Sequence, residues 1–297
     1  MITKNAMITI TGRPNVGKST LSNTLVGEKI AIVTNKPQTT RKRMFAVVNR
    51  DDTQFVFVDT PGFHKARNKL GDYMVRIVNE SVADVDAVCL VVEPVANVGT
   101  QEKLLIEKIK ATGVPSVLVI NKMDTVKKED LLAVMAVYSQ EHDFDAIVPI
   151  SAKTGENVDE LLDVLSKFAQ EGPQLFPDDM VTDQPEKQIV AEIVREKLLL
   201  CLDREIPHGT AVVVTKFSER ENEIIDCDVT IYCEKQSHKG MIIGKEGRML
   251  KKIGQMARED IEKFMGTKVF LQTWVKVKEN WRDSDMMIKN FGYTCDN

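Results

Sequence analysis

The sequence predicts an α/β domain with a doubly wound, mainly parallel sheet, followed by a smaller α+β domain. Three observations carry this. Residues 1–171 alternate short apolar runs with amphipathic stretches, the pattern of a parallel sheet covered by helices on both faces. Residues 172–185, "GPQLFPDDMVTDQP", hold Pro173, Pro177 and Pro185 without a periodic pattern and read as a linker. Residues 186–297 then change to the order α-β-β-α-β.

In the first domain "MITIT", "FVFVDT", "AVCLVVE", "SVLVIN" and "AIVPISA" are the strands, and "EKLLIEKIKATG", "EDLLAVMAVYSQEH" and "NVDELLDVLSKFAQ" are helices between and after them. In the second, Ile189, Val190, Ile193, Val194, Leu198 and Cys201 form one helical stripe. "TAVVVTKF" and "CDVTIYCEK" follow as strands. A long helix then places Leu250, Ile253, Ala257, Ile261 and Phe264 inward, and the last strand alternates Val269, Leu271, Thr273, Val275 and Val277 against its other face. A short helix over "NWRDSDMMIKNF" ends the domain.

Composition narrows the function classes. A chain of 297 residues with 43% hydrophobic and 28% charged residues is that of a soluble globular protein. A net charge of -4 argues against a wholly basic nucleic-acid binder but leaves room for a local basic surface. No apolar run is long enough for a membrane span, and the N-terminal stretch lacks the pattern of a signal peptide. The five cysteines form no C-x-x-C pair and the four histidines lack metal-ligand spacing. Reduced thiols in a cytoplasmic protein are the expectation.

The chemistry lies at strand ends. "GRPNVGKS" runs Gly12, Arg13, Pro14, Asn15, Val16, Gly17, Lys18, Ser19, with Thr20 next, between a strand and a helix. Such a loop turns its backbone N–H groups onto phosphates; Lys18 neutralises the β- and γ-phosphates and Ser19 offers a hydroxyl to Mg²⁺. "DTPG" (Asp59, Thr60, Pro61, Gly62) closes another strand. Asp59 suits an outer-shell contact to Mg²⁺, and the Gly62 N–H can sense a γ-phosphate. "NKMD" selects the base: Asp124 accepts from the guanine N1–H and 2-amino groups, donors that adenine lacks, Asn121 meets the O6/N7 edge, and the stem of Lys122 covers the ring. "SAK" (Ser151, Ala152, Lys153) brings the Ala152 N–H towards O6. Together, in this order, these define a guanine-nucleotide domain binding GTP and GDP, and they disfavour an ATP-dependent kinase. The polar loop "NKPQTTRKR" is the expected switch, with Thr40 as the second Mg²⁺ hydroxyl and Thr39 as the alternative.

Phe63 stands after "DTPG", where the best-known GTPases carry a glutamine that positions water. Hydrolysis is therefore expected to be slow. Two substitutes present themselves: Asn15 helping to hold K⁺ beside the phosphates, or a partner supplying charge. Lys18, Thr40, Gly62 and Asn15 are the expected catalytic set.

In the second domain "GKEG" (Gly244, Lys245, Glu246, Gly247) precedes a basic helix carrying Arg248 and Lys252, and a strand is expected before it. From Lys235 to Lys278 eleven basic residues face four acidic ones, a local +7. This is the KH pattern, in which glycines let the loop approach an RNA backbone, lysines and arginines neutralise phosphates, and Ile242 and Ile243 line the base side. Trp274 and Trp281 are expected to be buried rather than stacked on bases.

With both modules in place the chain resembles the Era family of bacterial ribosome-assembly GTPases over nearly its whole length: "GRPNVGKST", "PQTTR", "DTPGFH", "NKMD", "SAKTGENV", "EGPQLFP", "EIVREK", "REIPH", "IIGKEGRMLKKIG" and "WVKVKENWRD". The resemblance implies a translation-factor-type P-loop GTPase domain joined to a type II KH domain. It also implies that the KH domain binds the 3′ end of small-subunit (16S) rRNA during late 30S assembly, and that the protein associates loosely with the inner face of the membrane. A monomer is expected. Glu246 departs from the commonest loop, where glycine is usual, and sets a negative charge beside RNA phosphates. The rival reading is a regulatory GTPase whose C-terminal domain docks protein or membrane instead of RNA.

Overall fold

The computed structural model describes residues 2–62, 66, 68–81, 85–221 and 223–293. The chain divides into two compact units.

The first unit, Met1–Ala31, Thr40–Ala66 and Asp72–Asp183, is built on a seven-stranded sheet. Its strands are β1 (Lys4–Thr11), β2 (Met44–Arg50), β3 (Thr53–Asp59), β4 (Ala87–Val92), β5 (Ser116–Ile120), β6 (Ala146–Pro149) and β7 (Gln170–Glu171). They lie in the order β2-β3-β1-β4-β5-β6, with β7 against the start of β1. β2 and β7 run antiparallel to their neighbours; every other pairing is parallel. The helices are α1 (Lys18–Val26), α2 (Lys69–Glu80), α3 (Thr100–Thr112), α4 (Lys128–Glu141) and α5 (Val158–Leu165).

Alternation along β4 shows why the sheet is covered twice. Ala87, Cys89 and Val91 join a core with Leu21 and Leu25 of α1 and Leu161, Leu162 and Leu165 of α5. Val88, Leu90 and Val92 join a second core with Leu105, Ile106 and Ile109 of α3 and Leu131, Val134 and Tyr138 of α4. A strand buried on both faces has no polar alternation, which is why these segments read as continuous apolar runs.

The stretch expected as a linker belongs to this unit as far as Asp183. The Gln54 side chain explains much of this. Its Oε1 accepts from the N–H groups of Leu175 and Phe176, both at 2.8 Å, and its amide donates to the Phe176 carbonyl at 2.9 Å. Further along, the Val47 N–H donates to the Val181 carbonyl at 2.9 Å. Backbone pairing of this kind needs no hydrophobic period, so the prolines alone were legible.

The second unit, Ile32–Thr39, Arg67–Gly71 and Gln184–Asn297, contains α6 (Glu186–Cys201), β8 (Ala211–Glu219), β9 (Ile225–Cys233), α7 (Gln236–Ile243), α8 (Arg248–Met265), β10 (Val269–Val277) and α9 (Asp285–Asn290). Its three-stranded sheet has the order β10-β9-β8, with β10 parallel and β8 antiparallel to β9. One sheet face packs on α6 and α8 through Ile189, Val190, Ile193, Val194 and Leu198 with Ile253, Ala257 and Ile261.

Two expectations are corrected here. The segment before "GKEG" is the helix α7, not a strand, so the order is α-β-β-α-α-β. Eight residues with only Ile242 buried offer no helical period, and the run Met241-Ile242-Ile243 mimics a strand. Trp274 is 57% exposed rather than buried.

Trp281 behaves as expected. It is fully buried, its indole N–H donates to the Gly209 carbonyl at 2.9 Å, and Phe291 meets it edge-on at 5.2 Å between ring centroids. Trp281→Ala is expected to destabilise the second unit by about 3–5 kcal/mol, through the cavity and the abandoned carbonyl. Thermal unfolding followed by circular dichroism checks this, with the first unit's transition left in place.

Candidate functional site

Every nucleotide-site residue expected from the sequence, Thr40 apart, lies at or just beyond the carboxyl end of a strand with a parallel neighbour. Gly12 to Gly17 follow β1 and lead into α1, whose first turn holds Lys18, Ser19 and Thr20. Thr60, Pro61 and Gly62 follow Asp59 at the end of β3; Asn121, Lys122 and Asp124 follow β5; Ser151, Ala152 and Lys153 follow β6. In an open parallel sheet this rim is where loops from neighbouring strands converge on a ligand.

Asn121 ties three of these loops together. Its side chain is buried; its amide donates to the Val16 carbonyl at 2.8 Å, and its Oδ1 accepts from the Ala152 N–H at 2.9 Å. The Ala152 N–H, expected to point at a base, is thus engaged by Asn121, whose second amide hydrogen is the group suited to a base edge. The Ser151 hydroxyl donates to Asp124 Oδ1 at 2.7 Å and orients that carboxylate. The Lys122 ammonium reaches the Asn15 carbonyl at 2.7 Å. Lys153 is exposed at the edge of this ring.

The phosphate end is held as tightly. Gly17 has φ 103°, and a Cβ there would fall 2.2 Å from the Asn121 amide nitrogen, so only glycine permits the approach. Lys18 is buried, and its ammonium donates to the carbonyls of Gly12 (3.1 Å) and Arg13 (2.9 Å). Burial pushes its pKa down to about 8, against the pull of the Asp59 charge.

The Ser19 hydroxyl lies 2.8 Å from Thr40 Oγ1 and donates to Asp59 Oδ2 at 2.9 Å. Burial raises Asp59 to about 6, opposed by Lys18 and the Ser19 hydrogen bond. Its other oxygen, Oδ1, is buried without a hydrogen bond. Two hydroxyls and a carboxylate within hydrogen-bonding range, one oxygen lacking a donor, form an all-oxygen set that fits Mg²⁺. Of the two threonines, Thr40 stands beside Ser19, whereas the Thr39 hydroxyl is engaged by Thr34 and the Lys36 carbonyl, each at 2.7 Å. Phe63 lies outside the described residues.

Sequence reasoning missed Glu93. Standing after β4, its carboxylate takes Lys122 at 2.5 Å and Arg13 at 3.2 Å, and Arg13 also pairs with the buried Glu102. Arg13 is therefore committed to the protein, and the P-loop and base loop share one counter-charge. The available signal was a carboxylate ending an apolar strand on the rim.

In the second unit Gly244 to Gly247 form the turn between α7 and α8, with Glu246 in a left-handed conformation, φ 54°. Lys245, Arg248 and Lys252 are exposed, and Glu246 pairs with Arg248 at 2.6 Å. Ile243 is half-buried, whereas Ile242 is wholly in the core and lines no groove. A cleft of about 430 Å³ opens beside Gly247, walled by Leu250, Gly254 and Arg258 of α8 and by Leu271 and Thr273 of β10. These wall residues were read from sequence only as core or surface positions of their elements.

A parallel sheet with a phosphate loop and a guanine-reading rim, joined to a cleft beside a glycine loop, defines a P-loop GTPase carrying an added nucleic-acid-binding type of module. Comparison with known proteins agrees. Residues 7–122 match the 50S ribosome-binding GTPase family and residues 205–282 the KH domain family. GTPase Era of Ruminiclostridium cellulolyticum is 50% identical over 98% of this chain and 97% of its own, and GTPase Era of Clostridioides difficile 49% over 98% of both. Two solved structures superpose over almost the full length. A variant of Aquifex aeolicus Era bound to GDP and aluminium fluoride has TM-score 0.94, 35% identity, and coverage of 98% of this chain and all of that one. Era in complex with MgGDPNP and nucleotides 1506–1542 of 16S ribosomal RNA has TM-score 0.95, 35% identity, and coverage of 99% and 100%. The chain belongs to the Era family of GTPases.

At Gly62 a Cβ would lie 2.8 Å from the Pro14 Cα and nitrogen. Gly62→Ala must therefore push this loop off the P-loop. Hydrolysis is expected to fall about 100- to 1000-fold, as when one preorganised donor is lost, with GDP affinity nearly unchanged. Single-turnover hydrolysis beside a GDP titration checks it.

Proposed function

We propose that this GTPase is a slow molecular switch that binds small-subunit (16S) rRNA near its 3′ end through its KH domain and assists 30S subunit assembly. The observation that carries this is the pairing, in one chain, of a guanine-reading rim with a cleft walled by Arg258 and the glycine loop. The structural neighbour in complex with MgGDPNP and nucleotides 1506–1542 of 16S ribosomal RNA matches this chain over its whole length, which supports the reading.

In this reading the N–H groups of Gly12 to Ser19 cradle the phosphates, and Lys18 exchanges its two carbonyl partners for phosphate oxygens. Asp124, held by Ser151, accepts from the guanine N1–H and 2-amino groups. Ser19 and Thr40 would hold Mg²⁺ directly and Asp59 through water; when bound, the ion supplies positive charge to the phosphate oxygens. Thr40 and Gly62 sense the γ-phosphate. Asn15 sits at the exposed tip of the loop in a left-handed conformation, φ 67°, and its carbonyl already accepts from Lys122. In this reading it helps to hold a K⁺ ion beside the phosphates, a charge standing in for the absent glutamine's work. Lys245, Arg248 and Lys252 meet the RNA backbone, with Glu246 moderating Arg248.

In this reading the protein acts in the cytoplasm as a monomer. Contact with the inner face of the membrane rests on the family resemblance alone; among the described residues no helix is long and apolar enough to cross a membrane.

Hydrolysis is expected to run faster in K⁺ than in Na⁺, with Asn15→Ala abolishing the difference; equal rates in the two salts would remove the cation from the mechanism. An RNA oligonucleotide from the 3′ end of 16S rRNA is expected to bind the full chain more tightly with a non-hydrolysable GTP analogue than with GDP, at fixed salt. Gly247 has open space around its Cα but a left-handed backbone, φ 75°, a conformation that aspartate tolerates better than most residues. Gly247→Asp therefore sets a carboxylate against the phosphates at the cost of local strain, and circular dichroism checks that the fold is kept. The substitution is expected to abolish RNA binding and spare GTP binding. Loss of neither would favour a protein-docking role for the KH domain.

A further inference from the structure

β10 is an edge strand with two different faces. Leu271 and Thr273 wall the cleft beside Gly247, whereas Phe270, Gln272, Trp274 and Lys276 are exposed on the opposite side of the sheet. Trp274 keeps 57% of its surface exposed and Phe270 48%. An exposed indole on a well-formed strand forgoes the burial that usually stabilises tryptophan.

The two ends of this face differ in charge. Around Phe270 the Arg220 guanidinium lies over the ring at 5.1 Å from its centroid, and Asp226 holds that guanidinium at 2.5 Å. Lys216 pairs with the same carboxylate at 3.2 Å, Glu219 ends β8, and Glu221 and Glu223 follow it. Cations and carboxylates are mixed at this end and largely paired with each other. Trp274 lies opposite Thr230 in the register, with Lys276 two residues on along the same face and Lys278 just past the strand. The nearest carboxylate in the register is Asp228, opposite Gln272.

We propose that Trp274 is a stacking platform for an unpaired base of an RNA strand that has left the cleft around the β10 edge, with Lys276 against the adjoining phosphate. The proposal rests on the RNA-binding reading of the cleft. RNA is favoured over a protein partner for two reasons. The charge beside the indole is basic, and Thr273 on the cleft wall and Trp274 on the platform are consecutive residues. Among the described residues no strand pairs with the outer edge of β10, so a strand in the cleft reaches the indole by rounding a single β-strand. Stacking on an indole tolerates any base.

The test uses the full chain with the GTP analogue and two oligonucleotides from the 3′ end of 16S rRNA. One has about four nucleotides, the length a KH cleft clamps, and the other about twice that. The wild type is expected to bind the longer one more tightly and to show quenched tryptophan emission with it alone. Trp274→Ala should cost at least about fivefold for the longer RNA and nothing for the shorter, and Trp274→Phe should retain most of the difference. Gly247→Asp should weaken both. Equal affinity of Trp274→Ala and wild type for the longer RNA overturns the platform while the cleft stands, and would assign the indole to a protein partner. If neither RNA binds the wild type, or Gly247→Asp weakens neither, the cleft reading fails and the platform falls with it.

Discussion

The side chain of Asn121 is the joint on which the nucleotide site depends. One buried amide spans the Val16 carbonyl of the phosphate loop and the Ala152 N–H of the loop after β6. Removing it would strand a buried donor and a buried acceptor at once, each worth about 1–3 kcal/mol unsatisfied. More importantly for function, it sets the separation between phosphate and base contacts before any nucleotide arrives. Gly17 must be glycine because this amide passes where its Cβ would be. The same loops are drawn together from outside by Glu93, which is shared between Arg13 and Lys122.

Preorganisation of this kind concentrates charge that water does not reach. Lys18 and Asp59 are both buried, and burial shifts each towards its neutral form, the lysine down to about 8 and the aspartate up to about 6. A buried pair whose remaining contacts are two carbonyls and a hydroxyl is poorly satisfied as it stands. Phosphate oxygens and a divalent cation supply what is missing: an acceptor for the ammonium and a partner for the Asp59 oxygen left without a hydrogen bond. The site is arranged around charges that only the ligands balance.

The second unit solves a different problem. Helices pack on one face of the three-stranded sheet; on the other Thr230 is buried and Tyr232 meets Phe291 at 4.7 Å between centroids, yet Trp274, on the strand that walls the cleft, stays exposed. Period-two alternation makes one edge strand serve two surfaces. Part of the basic excess seen in the sequence is exposed as Lys245 in the glycine loop and Arg248 and Lys252 at the start of α8, with Arg248 partly offset by Glu246.

How much was legible follows from range. Strands buried on both faces announced themselves as apolar runs, and the phosphate loop, "NKMD", "SAK" and "GKEG" each carry their chemistry within a few consecutive residues. The α/β class, the guanine specificity and the KH module were therefore determined by the sequence itself. Contacts between distant residues were not. Gln54 capturing residues 175 and 176, Glu93 bridging two loops, and Thr40 rather than Thr39 beside Ser19 depend on which strands become neighbours. So does the exposure of Trp274: alternation separates the two faces of β10, but only the packing of α6 and α8 on one of them decides that the indole's face stays open. Local pattern is written in the order of residues, whereas the cost of a buried group and the reach of an exposed one exist only once the chain has folded around them.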